Sequence, residues 1–116
     1  MSSYRIAIVG SKEAVAGFAL LGVDVVPMQE TEDAVTELMR LKKAIRIEDG
    51  RERNVYGIVF VAEHLMTKLS QEDLKRLSRG ALPAIIPLPS HHGSSGYGLE
   101  RLKKIVERAV GSDILK

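Results

Sequence analysis

Val55-Tyr56-Gly57-Ile58-Val59-Phe60-Val61-Ala62 decides how the rest of the chain must be read. The stretch is rich in β-branched and aromatic side chains and carries no charge until Glu63. A strand apolar on both sides of its pleat cannot face water on either side. Such a strand belongs in the middle of a parallel sheet, with helices above and below. A buried helix could show a similar apolar run, but the short length, the β-branching and Gly57 near the start favour a strand. The flanking sequence must then supply neighbouring strands and two helical layers.

Ile6-Ala7-Ile8-Val9 is a second strand of the same kind, followed by a turn at Gly10-Ser11-Lys12-Glu13. Ser11 is placed to cap a helix carrying Ala14, Val15, Phe18 and Leu21 at helical spacing, and Gly22 ends it. Val23-Asp24-Val25-Val26-Pro27 reads as an edge strand, because Asp24 and Pro27 do not suit a central one. Thr31 is expected to cap a long helix with Glu32 and Asp33 in its first turn and a stripe of Val35, Leu38, Met39, Leu41, Lys42 and Ile45. Arg46 to Asn54 is almost wholly charged around Gly50 and reads as a solvated loop, longer than most helix-to-strand connections. Glu63 to Leu69 forms a short helix. Ser70 caps the next, which carries Leu74 and Leu77 and stops at Gly80. Ala84-Ile85-Ile86-Pro87-Leu88-Pro89 is a fourth strand, which its prolines place at an edge. Ser90 to Gly98 is a glycine-punctuated loop, and the last helix runs from about Leu99 to Val110.

Alternating strands and helices make the fold class α/β, a four-stranded parallel sheet in the order 2-1-3-4, flavodoxin- or receiver-like, with a C-terminal helix. Residues 1–90 should form the sheet domain, and 91–116 a tether and helix that pack on the sheet or on a partner. The 116 residues suit one domain overall. Hydrophobic residues at 45% and charged residues at 28% are those of a globular protein. Lys and Arg number 17 against 15 Asp and Glu, so no strong field favours nucleic acid. Without cysteine there is neither a disulfide framework nor a thiolate metal site. No apolar run approaches the roughly 20 residues of a membrane-spanning helix. A cytoplasmic chain follows, with any membrane role peripheral.

Ligands of open α/β sheets bind at the carboxyl ends of the strands. Gly10-Ser11-Lys12, Gln29-Glu30, Glu63-His64 and Ser90-His91-His92 stand there. Gly10 to Gly17 has neither the dinucleotide nor the P-loop spacing. A receiver domain needs an acceptor aspartate and acidic metal ligands, where this chain has Ala62-Glu63 and Gly10-Ser11. A phosphorylated small ligand held between Gly10–Lys12 and Ser90–Gly96 stays open as an alternative, as a regulatory domain. His64, His91 and His92 with Glu63 could in principle hold zinc, but no helical H-x-x-x-H pair exists. No catalytic residue, cofactor or metal is expected.

The last helix is more informative. Leu99, Leu102, Ile105, Val106, Ala109 and Val110 form one broad apolar face, with Arg101, Lys103, Lys104 and Arg108 mostly elsewhere. Burying its larger aliphatic residues is worth about 7–15 kcal/mol gross. Ile114 and Leu115 lie beyond the stop at Gly111 and add to the apolar surface. Leu99, Leu102, Ile105, Val106 and Ile114 are the candidate partner-facing residues, and the helix docks either on its own sheet or on another protein.

Four segments, in order, carry a resemblance. Arg5-Ile6-Ala7-Ile8-Val9-Gly10 with Gly17-Phe18-Ala19-Leu20-Leu21-Gly22-Val23 resembles the opening of the F subunit of the V-type and archaeal-type rotary ATPases. Val61-Ala62-Glu63-His64-Leu65 resembles the end of that family's central strand, where I-T-E is usual. Pro83 to Ser90 resembles its P-A-I-x-x-I-P-S segment, and Arg108 to Ile114 its closing R-A-x-G-x-D-I. Ala62 in place of threonine and the charged stretch Arg46–Asn54 depart from the pattern. The resemblance implies a non-catalytic rotor subunit of the central stalk, bound to the coiled-coil D subunit inside the ring of A and B subunits. It implies coupling of ATP synthesis or hydrolysis to proton or sodium transport.

Overall fold

The computed structural model describes residues 4–29 and 33–88, together with Lys104 and Arg108. In chain order the elements are β1 (Arg5–Gly10), α1 (Lys12–Ala16), β2 (Asp24–Pro27), α2 (Ala34–Lys43), β3 (Ile45–Glu48), β4 (Arg51–Asn54), β5 (Tyr56–Ala62), α3 (Glu63–Met66), α4 (Gln71–Leu77) and β6 (Ala84–Leu88). A 3-10 turn at Ala19–Leu21 joins α1 to β2.

The parallel sheet runs β2-β1-β5-β6, which is the expected 2-1-3-4 order. Ile8 pairs with Val25 on one side and Phe60 on the other, and Phe60 pairs in turn with Ile86. Arg5 faces Tyr56 while Ile6 faces Ile58, so a bulge places Gly57 as the extra residue of β5. Both predicted edge strands are edges, and Pro87 lies in β6 opposite Val61.

Alternation splits the core into two layers. Ile6, Ile8, Ile58 and Phe60 pack with Val15, Phe18 and Val23 on the α1 side. Ala7, Val9, Val59 and Val61 pack with Leu38, Leu41, Leu65 and Leu77 on the side of α2, α3 and α4. Phe60, Leu38, Leu41 and Leu65 are among the largest fully buried side chains.

Local differences from the sequence reading have local causes. The first helix is one short α segment and then a 3-10 turn, rather than a continuous helix to Leu21. Gly22 still closes it, with φ of 83°. Asp33 caps α2, its carboxylate accepting from the Val35 amide at 3.0 Å. Thr31, the expected cap, lies outside the described residues. Ser70 caps α4 as expected, accepting from the Asp73 amide at 3.1 Å.

The charged stretch is not a loop. Ile45 to Asn54 folds as an antiparallel hairpin, with Ile45 opposite Asn54 and Glu48 opposite Arg51. Asp49 and Gly50 both take left-handed backbone, φ 52° and 78°, as a two-residue primed turn demands. Ile45 and Ile47 lie on one face, 48% and 65% exposed. Arg46 and Arg53 share the other face with Glu48, each 3.5 Å from it. Arg53 also donates to the Tyr4 hydroxyl at 3.4 Å and lies over its ring. The base is closed by the Val55 amide on the Ala44 carbonyl, 3.0 Å.

Candidate functional site

The carboxyl ends of β1 and β5, where the strand order changes direction, are packed with side chains. A Cβ at Gly10 would lie 3.2 Å from Val15 Cγ1 and 3.5 Å from Ala62 Cβ. The Gly10 carbonyl is already engaged by the Met28 amide at 2.7 Å. The glycine here therefore serves close approach of the α1 turn to the sheet. Among the described residues, no group of three or more acidic or histidine side chains is arranged to hold a metal ion. His64 lies in α3, where its carbonyl accepts from the Thr67 hydroxyl at 2.9 Å. His91, His92 and the whole Ser90–Gly96 stretch lie outside the described residues.

At the opposite, amino end of the sheet, one polar cluster stitches three strands together. Asp24 on β2 accepts from Arg5 Nε at 2.9 Å, from Arg5 Nη2, and from the Tyr56 hydroxyl at 2.8 Å. Arg5 begins β1 and Tyr56 begins β5. The hydrogen bonds from Arg5 hold the Asp24 carboxyl below the usual carboxylate range, against an opposing effect of burial. Partial burial, with donation to Asp24, pushes the Tyr56 hydroxyl up. Every group here is already paired within the cluster, which makes it a clamp on the edge strand.

Leu99, Leu102, Ile105, Val106 and Ile114 all lie outside the described residues. The two described positions of that region, Lys104 and Arg108, are helical and exposed. The expected boundary near residue 90 also falls outside the described residues. Sequence reasoning misses the exposed isoleucine pair of the hairpin, because the dense charge around it mimics a solvated loop.

Among the described residues, the filled ends of β1 and β5 and the paired clamp do not name a family, but the chain as a whole does. The family described as ATP synthase (F/14-kDa) subunit matches residues 6–106. The chain belongs to this family. The F subunit of a V-type ATP synthase from Clostridium botulinum is 37% identical over 111 residues, covering 96% of this chain and 97% of the relative. The F subunit of an A-type ATP synthase from Thermococcus sibiricus is 33% identical over 110 residues, covering 95% and 97%. The crystal structure of the V-type ATP synthase F subunit from Archaeoglobus fulgidus superposes with a TM-score of 0.57 at 21% identity, over 73% of this chain and 96% of that one. That likeness bears on the fold, and it agrees with the four-stranded parallel α/β sheet. No helix among the described residues is long and apolar enough to cross a membrane.

Proposed function

We propose that this member of the F-subunit family is a non-catalytic rotor part of the central stalk of a V-type or A-type rotary ATPase. It binds the coiled-coil D subunit and turns with it inside the ring of A and B subunits. It thereby helps couple ATP synthesis or hydrolysis to proton or sodium transport, at the cytoplasmic surface and peripheral to the membrane. The observation that carries this reading is the family match over residues 6–106, with relatives named as F subunits of V-type and A-type ATP synthases along nearly their whole length. The filled ends of β1 and β5 fit a chain that transmits force through packing. Leu99, Leu102, Ile105, Val106 and Ile114 are the side chains that grip the D subunit, as the apolar pattern of the sequence suggests, and the neighbouring Lys104 and Arg108 are exposed.

Co-expression with the D subunit tests the reading. A stable heterodimer is expected, and no association at micromolar concentration would overturn it. Ile105→Asp should abolish the heterodimer while leaving the circular dichroism of the isolated chain unchanged. An undiminished heterodimer would remove Ile105 from the interface.

A further inference from the structure

The outer face of α2 is a single stripe. Val35, Thr36, Met39, Arg40 and Lys43 follow one another at helical spacing, while Ala34, Leu38 and Leu41 turn inward to the core. Arg76 of α4 comes up beside this stripe. Together they line a shallow groove of about 420 Å³. Its composition is sorted. The apolar part comes from half-buried Val35 and Met39, and the rim carries three cations, Arg40, Lys43 and Arg76.

The acids beside the groove are already engaged. Glu37 accepts from Arg40 Nε at 2.9 Å and Nη2 at 2.7 Å, and Asp73 is 3.4 Å from Arg76. No carboxylate among the described residues reaches Lys43. The groove thus presents aliphatic and thioether surface bordered by positive charge that is only partly neutralised. It is built on α2 and α4, and it shares no residue with the 99–114 stretch assigned above to the D subunit.

We infer that this groove is a docking site for an acidic amphipathic helix of another protein. Aliphatic side chains of that helix would cover Val35 and Met39, and carboxylates flanking them would meet Lys43, Arg40 and Arg76. A helix laid into a groove in this way is read by anchors three and four residues apart, with rim charges setting orientation and partner choice. Charge complementarity selects the acidic partner. A basic helix would bring ammonium groups against the arginines and Lys43, and a neutral one would leave them unanswered.

The test uses the purified full-length chain and a fluorescent helical peptide of about 18 residues, with leucine and glutamate at helical spacing. Anisotropy should report micromolar binding that weakens as salt rises. A matched peptide with lysine in place of glutamate should not bind. Lys43→Glu with Arg76→Glu alters only exposed side chains, so the fold is expected to survive. That variant should lose affinity by about tenfold or more while keeping the circular dichroism of the folded chain. Met39→Ala, which leaves the charges in place, should weaken binding with no change in salt dependence. Equal binding of both peptides, an unaffected double variant, or no binding at millimolar peptide overturns the inference. Phosphatidylglycerol vesicles, bound with the same salt and variant dependence in place of the peptide, would overturn it in favour of a membrane surface. Because the chain is tested alone, the result is independent of whether it assembles with the D subunit.

Discussion

Replacing Asp24 by Asn removes one charge from the clamp at the amino end of the sheet and leaves the side-chain volume almost unchanged. The carboxylate holds a two-point contact with Arg5 and a hydrogen bond from Tyr56. The Arg5 side chain is 54% exposed and that of Asp24 29%, so the ion pair is largely screened. Such a pair contributes about 0.5–1 kcal/mol, toward the upper end because the contact is two-pointed. The bond from the half-buried Tyr56 hydroxyl adds about 1 kcal/mol. The amide oxygen of Asn can keep that bond, so Asp24→Asn should cost about 0.5–1 kcal/mol and Asp24→Ala about 1.5–2 kcal/mol. For a domain this size 1 kcal/mol moves the melting midpoint by about 3–6 °C.

The pH dependence follows from the direction of the Asp24 shift. Its carboxyl is held lower in the folded chain than in the unfolded one, so its contribution is complete above the ordinary carboxylate range. It fades as pH falls through that range toward the folded value, where native Asp24 also becomes neutral. Urea unfolding followed by circular dichroism at pH 7 and near pH 3 should therefore show the Asp24→Asn deficit at the first and a markedly smaller one at the second. A cycle combining Asp24→Ala with Tyr56→Phe should show coupling of about 0.5–1 kcal/mol. A deficit that is the same at both pH values, or a cycle with no coupling, would refute the clamp.

Two further outcomes test the local readings. Gly50→Ala forces a Cβ into left-handed backbone at φ 78°, costing about 1 kcal/mol, which should speed amide exchange across Ile45–Asn54 about fivefold while the parallel sheet stays protected. Asp33→Ala should lower stability by about 1 kcal/mol in urea titrations, and Asp33→Ser should recover most of it, because Asp33 is the cap of α2.

The sheet is legible in the sequence because its signal is physical and redundant. Residues 58–61 and 6–9 are apolar on both faces, and only a two-sided helical cover satisfies that. Proline and aspartate then mark β2 and β6 as edges, which leaves little freedom in strand order. The hairpin is harder to see because two signals conflict. Alternation in Ile45-Arg46-Ile47-Glu48 and the Asp49-Gly50 pair both point to a ribbon, while the density of charge points to a loop. The turn chemistry wins, since Asp-Gly supplies the two left-handed residues that such a turn needs. The first helix reads too long because Val15, Phe18 and Leu21 keep the same side in an α-helix and in an α turn followed by a 3-10 turn.

The candidate surfaces are legible only in part. Spacing reads Val35 and Met39 together with Leu38, Leu41, Lys42 and Ile45 as one stripe, whereas in the structure Leu38 and Leu41 are buried, Val35 and Met39 stay half-buried beside Thr36, Arg40 and Lys43, and Ile45 belongs to the hairpin. It cannot tell that Arg76, far along the chain, completes the rim, because that depends on how α2 and α4 pack. The Asp24 clamp is similarly hidden. Arg5, Asp24 and Tyr56 meet only through the register of three strands, and Asp24 in sequence signals no more than an edge position.

The way the hairpin is rooted has a practical consequence. Chain entry and exit at Ala44 and Val55 are joined by one backbone hydrogen bond, and the ribbon's near end is further tied to the body by Arg53 on Tyr4 and by Asn54 donating to the Leu82 carbonyl at 3.0 Å, while the Asp49-Gly50 turn stands clear. It can be lengthened at that turn without touching either contact. Extension at the Asp49-Gly50 turn, to carry a dye or an affinity tag, would keep those contacts and leave the order β2-β1-β5-β6 untouched. That makes the turn of the ribbon a ready place to carry a label.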